Sequence, residues 1–456
     1  MPVLRLVVQP QKKPLSGSVP VPSDKSIGHR ALLIGALTNG ACEIRGFSRG
    51  EDNISTAHAL AAMGVTFEGL DDPTTSVVRV RGVGLFGLRE PKGPLDCGNS
   101  GTTMRLMCGL LAAQPFATVL VGDASLSKRP MLRVVGPLRE RGAKVEGKAH
   151  ATRAGDLTSP LRIGPCAEDV PLRELRYASN VASAQVKGAL LLSGLYAHGE
   201  TVLSEPLVSR DHTERLLASL GVPIATLGSI VSIDPAGWGG QMPAFDVDLA
   251  GDPSAAAFLH VAAHLVPGSQ VTIRAVCTNP TRTGLLEIAR DMGAGLDVRP
   301  LGDRGGEPVS DVHAWHEPLR GRKVGGEQVP RAIDEVPILC ALAARASGTT
   351  RIVDAEELRV KESDRIAAMA EVLRAFGVTC EELPDGLEIQ GTDAPLRACR
   401  VDSRGDHRIA MTAAVLALVA DGPVQIDDVA CIGTSFPRFV GTLRALGATL
   451  DVSTEP

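Results

Sequence analysis

The stretch LAAMGV, Leu60 to Val65, closes an amphipathic helical run with a glycine and then a β-branched or small residue, and the chain repeats this ending five more times. The repeats are LRERGAKV (138–145), LASLGV (217–222), IARDMGA (288–294), LRAFGV (373–378) and LRALGA (443–448). A glycine just past the last apolar position of a helix supplies the left-handed backbone of a C-cap. The capping glycines Gly64, Gly142, Gly221, Gly293, Gly377 and Gly447 follow one another at intervals of 70 to 84 residues, which is a period. A second, more uniformly apolar helix recurs in phase with the first and runs through a turn into a β-branched strand, as in ALLIGALTNGACEI (31–44) and VPILCALAARASGTTRIV (336–353). The unit is therefore apolar helix, turn, strand, polar loop, amphipathic helix, strand. One such unit cannot bury its sheet alone, and six exceed the size at which a single core keeps growing, so two domains of three units each are expected.

Punctuation sets the expected boundaries. SVPVPS (18–23) and GWGGQMPAF (237–245) read as linkers. With the first strand, Leu4–Val8, paired into the second half, the domains are 1–22 plus 245–456 and 23–244, with the active site expected in the cleft between them and the chain crossing twice. At 456 residues, 44% hydrophobic and 22% charged, the composition is globular and excludes disorder and coiled coil. The longest apolar run, Ile409–Ala420, falls short of the roughly 20 residues of a membrane span. A net charge of −5 offers no global basic field to a nucleic acid. Nine scattered cysteines without a C-x-x-C pair suit a reducing cytoplasm. The N-terminal MPVLRLVVQPQKKP has no secretory apolar core and is expected to stay on the protein.

Three runs at the starts of apolar helices carry more charge and small polar residues than capping requires: SDKSIGHR (23–30), GNSGTTMR (98–105) and GDHRIAM (405–411). Helix N-termini present unpaired N–H groups and a positive dipole end, so a small residue followed by Lys or Arg makes an anion site. Gly98, Ser100 and Gly101 would admit close backbone approach to a ligand. The loops before the amphipathic helices add GDASLSKRP (122–130), SRDHT (209–213), NPTRT (279–283) and LRVKESDR (358–365). Ordinary capping accounts for NPTRT, and KESDR taken alone reads as a solvated salt-bridge cluster. In IDEVP (333–337) the acids lie between Ile333 and an apolar helix, where a partly desolvated carboxylate of raised pKa would suit proton transfer. GVGLFG (82–87) has the spacing of a dinucleotide loop, but Pro91 and Pro94 stop a helix from opening there. His260 and His264 have the i, i+4 spacing of two zinc ligands without a third, so they read as structural, as do His313 and His316 in a loop region.

Taken in order, PSDKSIGHR, LDCGNSGTTMRL, GDASLSKRPM, ASAQVKGALLLSG, SRDHTERLL, GDPSAAAF, NPTRTG, IDEVPIL, LRVKESDR and GDHRIAM resemble the 5-enolpyruvylshikimate-3-phosphate synthase family over essentially the whole chain. KRPM and SRDHTE look closer to its second class. The resemblance implies a two-domain inside-out α/β barrel of six βαβαββ repeats, three per domain. The implied reaction moves the enolpyruvyl group of phosphoenolpyruvate to the 5-hydroxyl of shikimate 3-phosphate and releases phosphate, in the shikimate pathway to chorismate and the aromatic amino acids. It implies a cytoplasmic monomer with two small-molecule partners, no nucleic acid or membrane partner, no cofactor and no metal.

By the same resemblance, Lys25 touches both substrates, and Ser26, Arg30, Ser183, Gln185 and Arg210 hold shikimate 3-phosphate. Gly101, Arg129, Arg365 and Arg408 look like phosphoenolpyruvate contacts, with Lys361 and Ala184 also in the substrate-binding set. Asp334 would take the hydroxyl proton and Glu362 would protonate the methylene carbon, while Arg105 would steady its loop. Ser435 stands where the first class has a lysine, Ala184 where it has a serine and Leu106 where it has a proline. The family's competitive inhibitor glyphosate is slightly longer than phosphoenolpyruvate, so a methyl at Gly101 is expected to hinder it more. Two other readings are an enolpyruvyl transferase acting on a UDP-amino sugar and a non-catalytic anion-binding repeat protein. The first typically has a reactive cysteine in a cationic loop, which this chain lacks; the second gains nothing from carboxylates beside its ligand.

Overall fold

All six capping glycines adopt positive φ, from 76° to 103°. They follow the helices Glu51–Ala62, Leu132–Glu140, His212–Ser219, Gly284–Asp291, Arg365–Ala375 and Phe439–Ala445 in the computed structural model, which describes residues 4–166 and 171–454. The apolar set forms the helices Lys25–Ala36, Gly101–Leu111, Ala184–Gly194, Pro253–Leu265, Val336–Ala344 and His407–Ala417. In the last three, every residue is buried. A helix that is apolar on all sides belongs in a core, so these helices lie inside and the sheets outside. Strand Val78–Arg81 shows the outward half of that arrangement, its valines buried and its arginines exposed.

Six four-stranded sheets share one plan. Ala41–Arg45, which follows an apolar helix, pairs in parallel with Asp246–Asp248 and antiparallel with Val78–Arg81, and the latter pairs with Thr66–Glu68. Thr118–Val121 repeats the pattern with Leu95–Asp96, Leu157–Ile163 and Val145–Ala149. The first residues of the chain complete two sheets of its second half. Leu4–Val8 lies between Val424–Asp427 and Leu450–Thr454, antiparallel to both, and Ser16–Pro20 pairs in parallel with Gln270–Cys277. SVPVPS is therefore not simply a linker, since its first residues are strand, and Pro20 fits an edge. His313 likewise sits in strand Glu307–Trp315 rather than in a loop.

The chain divides into two compact units. Unit one holds the described residues up to Asp24 with 250–303 and 308 onward, and unit two holds 25–249 with 304–307. Each unit contains three of the sheets. In unit two, a Cβ on Gly109 would lie 2.0 Å from the carbonyl oxygen of Ala189, so helices Gly101–Leu111 and Ala184–Gly194 touch backbone to backbone. That contact sets their first turns side by side. Among the described residues, no helix is long and apolar enough to cross a membrane.

Candidate active site

Unit two gathers cations at the starts of its apolar helices. Lys25 opens helix Lys25–Ala36 and pairs with Asp52 at 2.7 Å. Buried Arg30 donates to the Ser26 carbonyl at 2.9 Å, to Thr213 Oγ1 at 2.6 Å and to the Ala184 carbonyl at 3.4 Å, tying three helix starts together. Ser100 and Ser183 cap the next two apolar helices through their side chains. Arg105 donates to Gln185 Oε1 at 2.6 Å and to the Pro130 carbonyl, and Gln185 in turn donates to Thr102 at 2.9 Å. Arg129 donates to Asn99 Oδ1 at 2.6 Å. A Cβ on Gly101 would stand 2.8 Å from Arg105 Nη1 and 3.0 Å from Arg129 Nη1. Two guanidinium tips thus face a helix N-terminus, an arrangement suited to a phosphate or carboxylate. A methyl there would displace those tips as well as crowd a ligand, so the expected selectivity of Gly101→Ala against a longer inhibitor is joined by an effect on any anion they hold.

Behind this surface lies a buried ionic cluster. Lys187 Nζ is 3.0 Å from Glu205 and 2.8 Å from Glu214. Glu205 also accepts from the Ser183 backbone N–H at 2.7 Å and from the Ser209 hydroxyl. Burial alone would lower the Lys187 pKa, but Glu214 and Glu205 outweigh it and raise it. Glu205 therefore fixes the cap residue Ser183 and the loop that continues into Arg210, which is half-buried. Neither Glu205 nor Lys187 was marked by local sequence, because each reads as one polar residue beside an apolar run.

Unit one gathers carboxylates with its cations. Asp334 lies in the short turn Ile333–Glu335, with Lys361 Nζ and Arg365 Nη1 each 3.6 Å from its carboxylate and Arg408 Nη2 at 3.9 Å. Its carbonyl accepts from Arg408 Nη1 at 2.7 Å. Its carboxylate is partly desolvated, as its place before an apolar helix predicts, but the KESDR and GDHR loops also bring three cations to it, which was not expected. Nor is KESDR solvated. Arg365 is buried, bonded to Asp406 at 2.9 Å and to Glu362 at 2.6 Å. Burial opposes its charge, but Asp406 and Glu362 prevail and raise its pKa above the usual guanidinium value.

Asp406 is a further member that the motifs quoted but did not single out. It caps helix His407–Ala417 through the Arg408 N–H at 2.9 Å and accepts from Ser363 Oγ at 2.9 Å. Burial alone would raise its pKa, yet the Arg365 guanidinium helps hold it below the ordinary 3.8. The signal was present, since Asp immediately before an apolar helix is a cap. Lys361 also pairs with Glu357 at 3.1 Å. Ser435 ends the turn Val429–Thr434, its N–H on the Ile432 carbonyl. His264 Nδ1 donates to the Trp315 carbonyl, 3.1 Å away, and burial pushes the side chain's pKa down to about 4. Among the described residues, no cluster of three or more His, Cys, Asp or Glu side chains could hold a metal ion.

Residues 9–443 match the family described as EPSP synthase (3-phosphoshikimate 1-carboxyvinyltransferase). A 3-phosphoshikimate 1-carboxyvinyltransferase from Methylococcus capsulatus is 49% identical over 96% of this chain and 97% of its own. One from Acidithiobacillus ferrooxidans is 48% identical over 98% and 99%. The solved EPSP synthase of Acinetobacter baumannii matches with a TM-score of 0.85 and 41% identity, covering 99% of this chain and 100% of that one. The enolpyruvyl transferase NikO from Streptomyces tendae, at 18% identity and a TM-score of 0.76 over 100% of both chains, shares the fold.

Proposed function

Since the chain belongs to the EPSP synthase family, the 3-phosphoshikimate 1-carboxyvinyltransferases, we infer that its two sets of polar residues divide one enolpyruvyl transfer between them. The reaction carries the enolpyruvyl group of phosphoenolpyruvate to shikimate 3-phosphate in the shikimate pathway. Each substrate bears a phosphate and a carboxylate, so an acidic protein must concentrate cations locally.

In unit two, Lys25 contacts both substrates, and Ser26, Arg30, Ser183, Gln185 and Arg210 hold shikimate 3-phosphate beside Ala184. Gly101 and Arg129 receive phosphoenolpyruvate, and Arg105 keeps Gln185 and the 129–130 loop in place. In unit one, Arg365, Arg408 and Lys361 take anionic groups of the substrates. Asp334 removes the proton of the 5-hydroxyl. Glu362 protonates the methylene carbon of phosphoenolpyruvate, turning it into a methyl group and leaving the neighbouring carbon cationic, where the hydroxyl oxygen attacks. Phosphate then departs, and a methyl proton returns to a carboxylate, which restores the double bond and balances the reaction.

The observation that carries this reading is the Glu362–Arg365–Asp334 arrangement, with Arg365 2.6 Å from one carboxylate and 3.6 Å from the other. A substrate anion that competes for Arg365 loosens its hold on Glu362, the condition under which that carboxyl can carry a proton. Phosphate release should require shikimate 3-phosphate as acceptor and should be absent with a UDP-amino sugar; release with the UDP-sugar alone would overturn the assignment. The reading extends to a monomer in a reducing cytoplasm, supported by nine scattered cysteines with no C-x-x-C pair.

A further inference from the structure

The loop NPTR asks in sequence for nothing beyond a cap, yet it buries a guanidinium. Asn279 caps the turn Pro280–Arg282, accepting from the Thr281 N–H at 2.9 Å, and the Arg282 side chain is 1% exposed. Arg282 Nη1 lies 2.7 Å from Asp24 Oδ2. Its Nη2 lies 3.3 Å from Asp252 Oδ1, 2.9 Å from Ser254 Oγ and 3.9 Å from Glu335 Oε1. Ser254 passes a hydrogen bond on to Glu335. Burial alone would lower the pKa of the guanidinium, but Asp24, Asp252 and Glu335 outweigh it and hold it above the usual value.

The acids around Arg282 occupy particular places in the chain. Asp24 is the last residue of unit one before Lys25, and Asp252 lies just after the chain re-enters at Ala250. The two segments are laced together by the Asp24 N–H on the Ala250 carbonyl and the Asp252 N–H on the Pro22 carbonyl, each 2.8 Å. Glu335 directly follows Asp334, and its carboxylate also stands 3.9 Å from Arg408. Two of the three acids are thus immediate chain neighbours of groups assigned to the chemistry. A core that needed only stability would do as well or better with apolar residues, since desolvating such a cluster offsets much of its internal attraction.

We propose that Arg282 is a positioning residue of the transferase, fixing through Asp24 the backbone that enters Lys25 and through Ser254 and Glu335 the turn that presents Asp334. The inference rests on the roles given above to Lys25 and Asp334. Arg282 itself touches neither substrate. Its two arms have different signatures, because one ends on a binding residue and the other on a proton acceptor.

Full-length Ser254→Ala, Asp24→Asn, Arg282→Lys and Asp334→Asn should be compared by steady-state turnover, by calorimetric binding of shikimate 3-phosphate alone and by thermal unfolding. Ser254→Ala should lower kcat about tenfold, the scale of a small misplacement of a reacting group, with shikimate 3-phosphate affinity within about twofold. Asp24→Asn should weaken that affinity about tenfold. Arg282→Lys keeps the charge but not the reach, and should show both losses. If Arg282→Lys fails to fold, the contrast between Ser254→Ala and Asp24→Asn decides. Equal losses of kcat and affinity in those two, tracking a common loss of stability, would mean a merely structural cluster and overturn the proposal, as would normal values in both. Normal turnover of Asp334→Asn would instead refute the role of Asp334; impaired Asp334→Asn beside normal Ser254→Ala and Asp24→Asn would refute the role of Arg282 alone.

Discussion

Helices that begin the same way in the two units are capped by different chemistry. In unit two, Ser100 and Ser183 cap the starts of apolar helices; in unit one, Asp252 and Asp406 do, and Asp364 caps an amphipathic one. A serine satisfies a helix N–H without cancelling the positive end of the dipole, whereas an aspartate brings a charge of its own. The neighbours follow suit. Arg30, Arg105 and Arg129 donate to neutral oxygens of Ser26, Thr213, Gln185 and Asn99, bonds that orient a guanidinium. Arg365 and Lys361 are set against Asp406, Glu362, Glu357 and Asp334. In the proposed division, one repeated scaffold serves anion binding in both units and proton transfer in unit one, and the choice of cap is one place where they differ.

The comparison breaks first at its buried cluster. Unit two keeps its fully buried ion pairs behind the surface, at Lys187, and removing that partner should strand two carboxylates. Lys187→Met is expected to cost about 3–5 kcal/mol of stability, visible as a lowered midpoint of thermal unfolding; an unchanged midpoint would show that the cluster carries no net charge to strand. Next in size are the acids of unit one. Asp334→Asn and Glu362→Gln should each reduce kcat by about 10²-fold or more while shikimate 3-phosphate still binds, the scale of losing a general acid or base. Loss of binding with kcat intact would reverse the division of labour.

The caps themselves can be exchanged. Ser183→Asp keeps a good helix cap but places a carboxylate at the proposed acceptor site, so calorimetry should find shikimate 3-phosphate affinity reduced about tenfold at little cost in melting temperature. Equal affinity would mean that the cap's charge is not what separates the units. The smallest effect concerns pH. Burial depresses the pKa of His264 from 6.5 to about 4, and that of His260 well below 6.5. Below about pH 6.5 the unfolded chain takes up protons that the folded one refuses, so stability falls with pH between those values. For His264 alone the loss from pH 7.5 to 5.5 is about 1.4 kcal/mol. Each unit has one tryptophan, Trp315 in unit one and Trp238 in unit two. Single-tryptophan variants should therefore show an acid-sensitive urea midpoint for Trp315; a flat one would remove this difference.

Six glycines were enough to expose the repeat, because a helix C-cap is a local event and Gly64 or Gly377 needs no distant partner to adopt positive φ. The helix starts were equally readable from Ser, Asp and Gly before apolar runs. Strand Ser16–Pro20 was not, since only Val19 is buried and its ladder partner lies at Gln270–Cys277. The surroundings of Asp334 were misjudged for the same reason: Lys361, Arg365 and Arg408 come from loops much later in the chain. Arg282 looked like part of a cap because its partners at 24, 252 and 335 are remote in sequence.

The placement of Leu4–Val8 between two strands from the end of the chain bears on the order of synthesis. Unit two, apart from residues 304–307, is one continuous stretch and can fold while the ribosome is still making the rest. The first strand emerges before any of it, yet its neighbours Val424–Asp427 and Leu450–Thr454 are made only after all of it. It must wait through the synthesis of unit two with both edges open, and its five residues, LRLVV, with one arginine among apolar side chains, offer a chaperone an unpaired strand. Losing only Leu450–Thr454 would prolong that exposure on one side indefinitely.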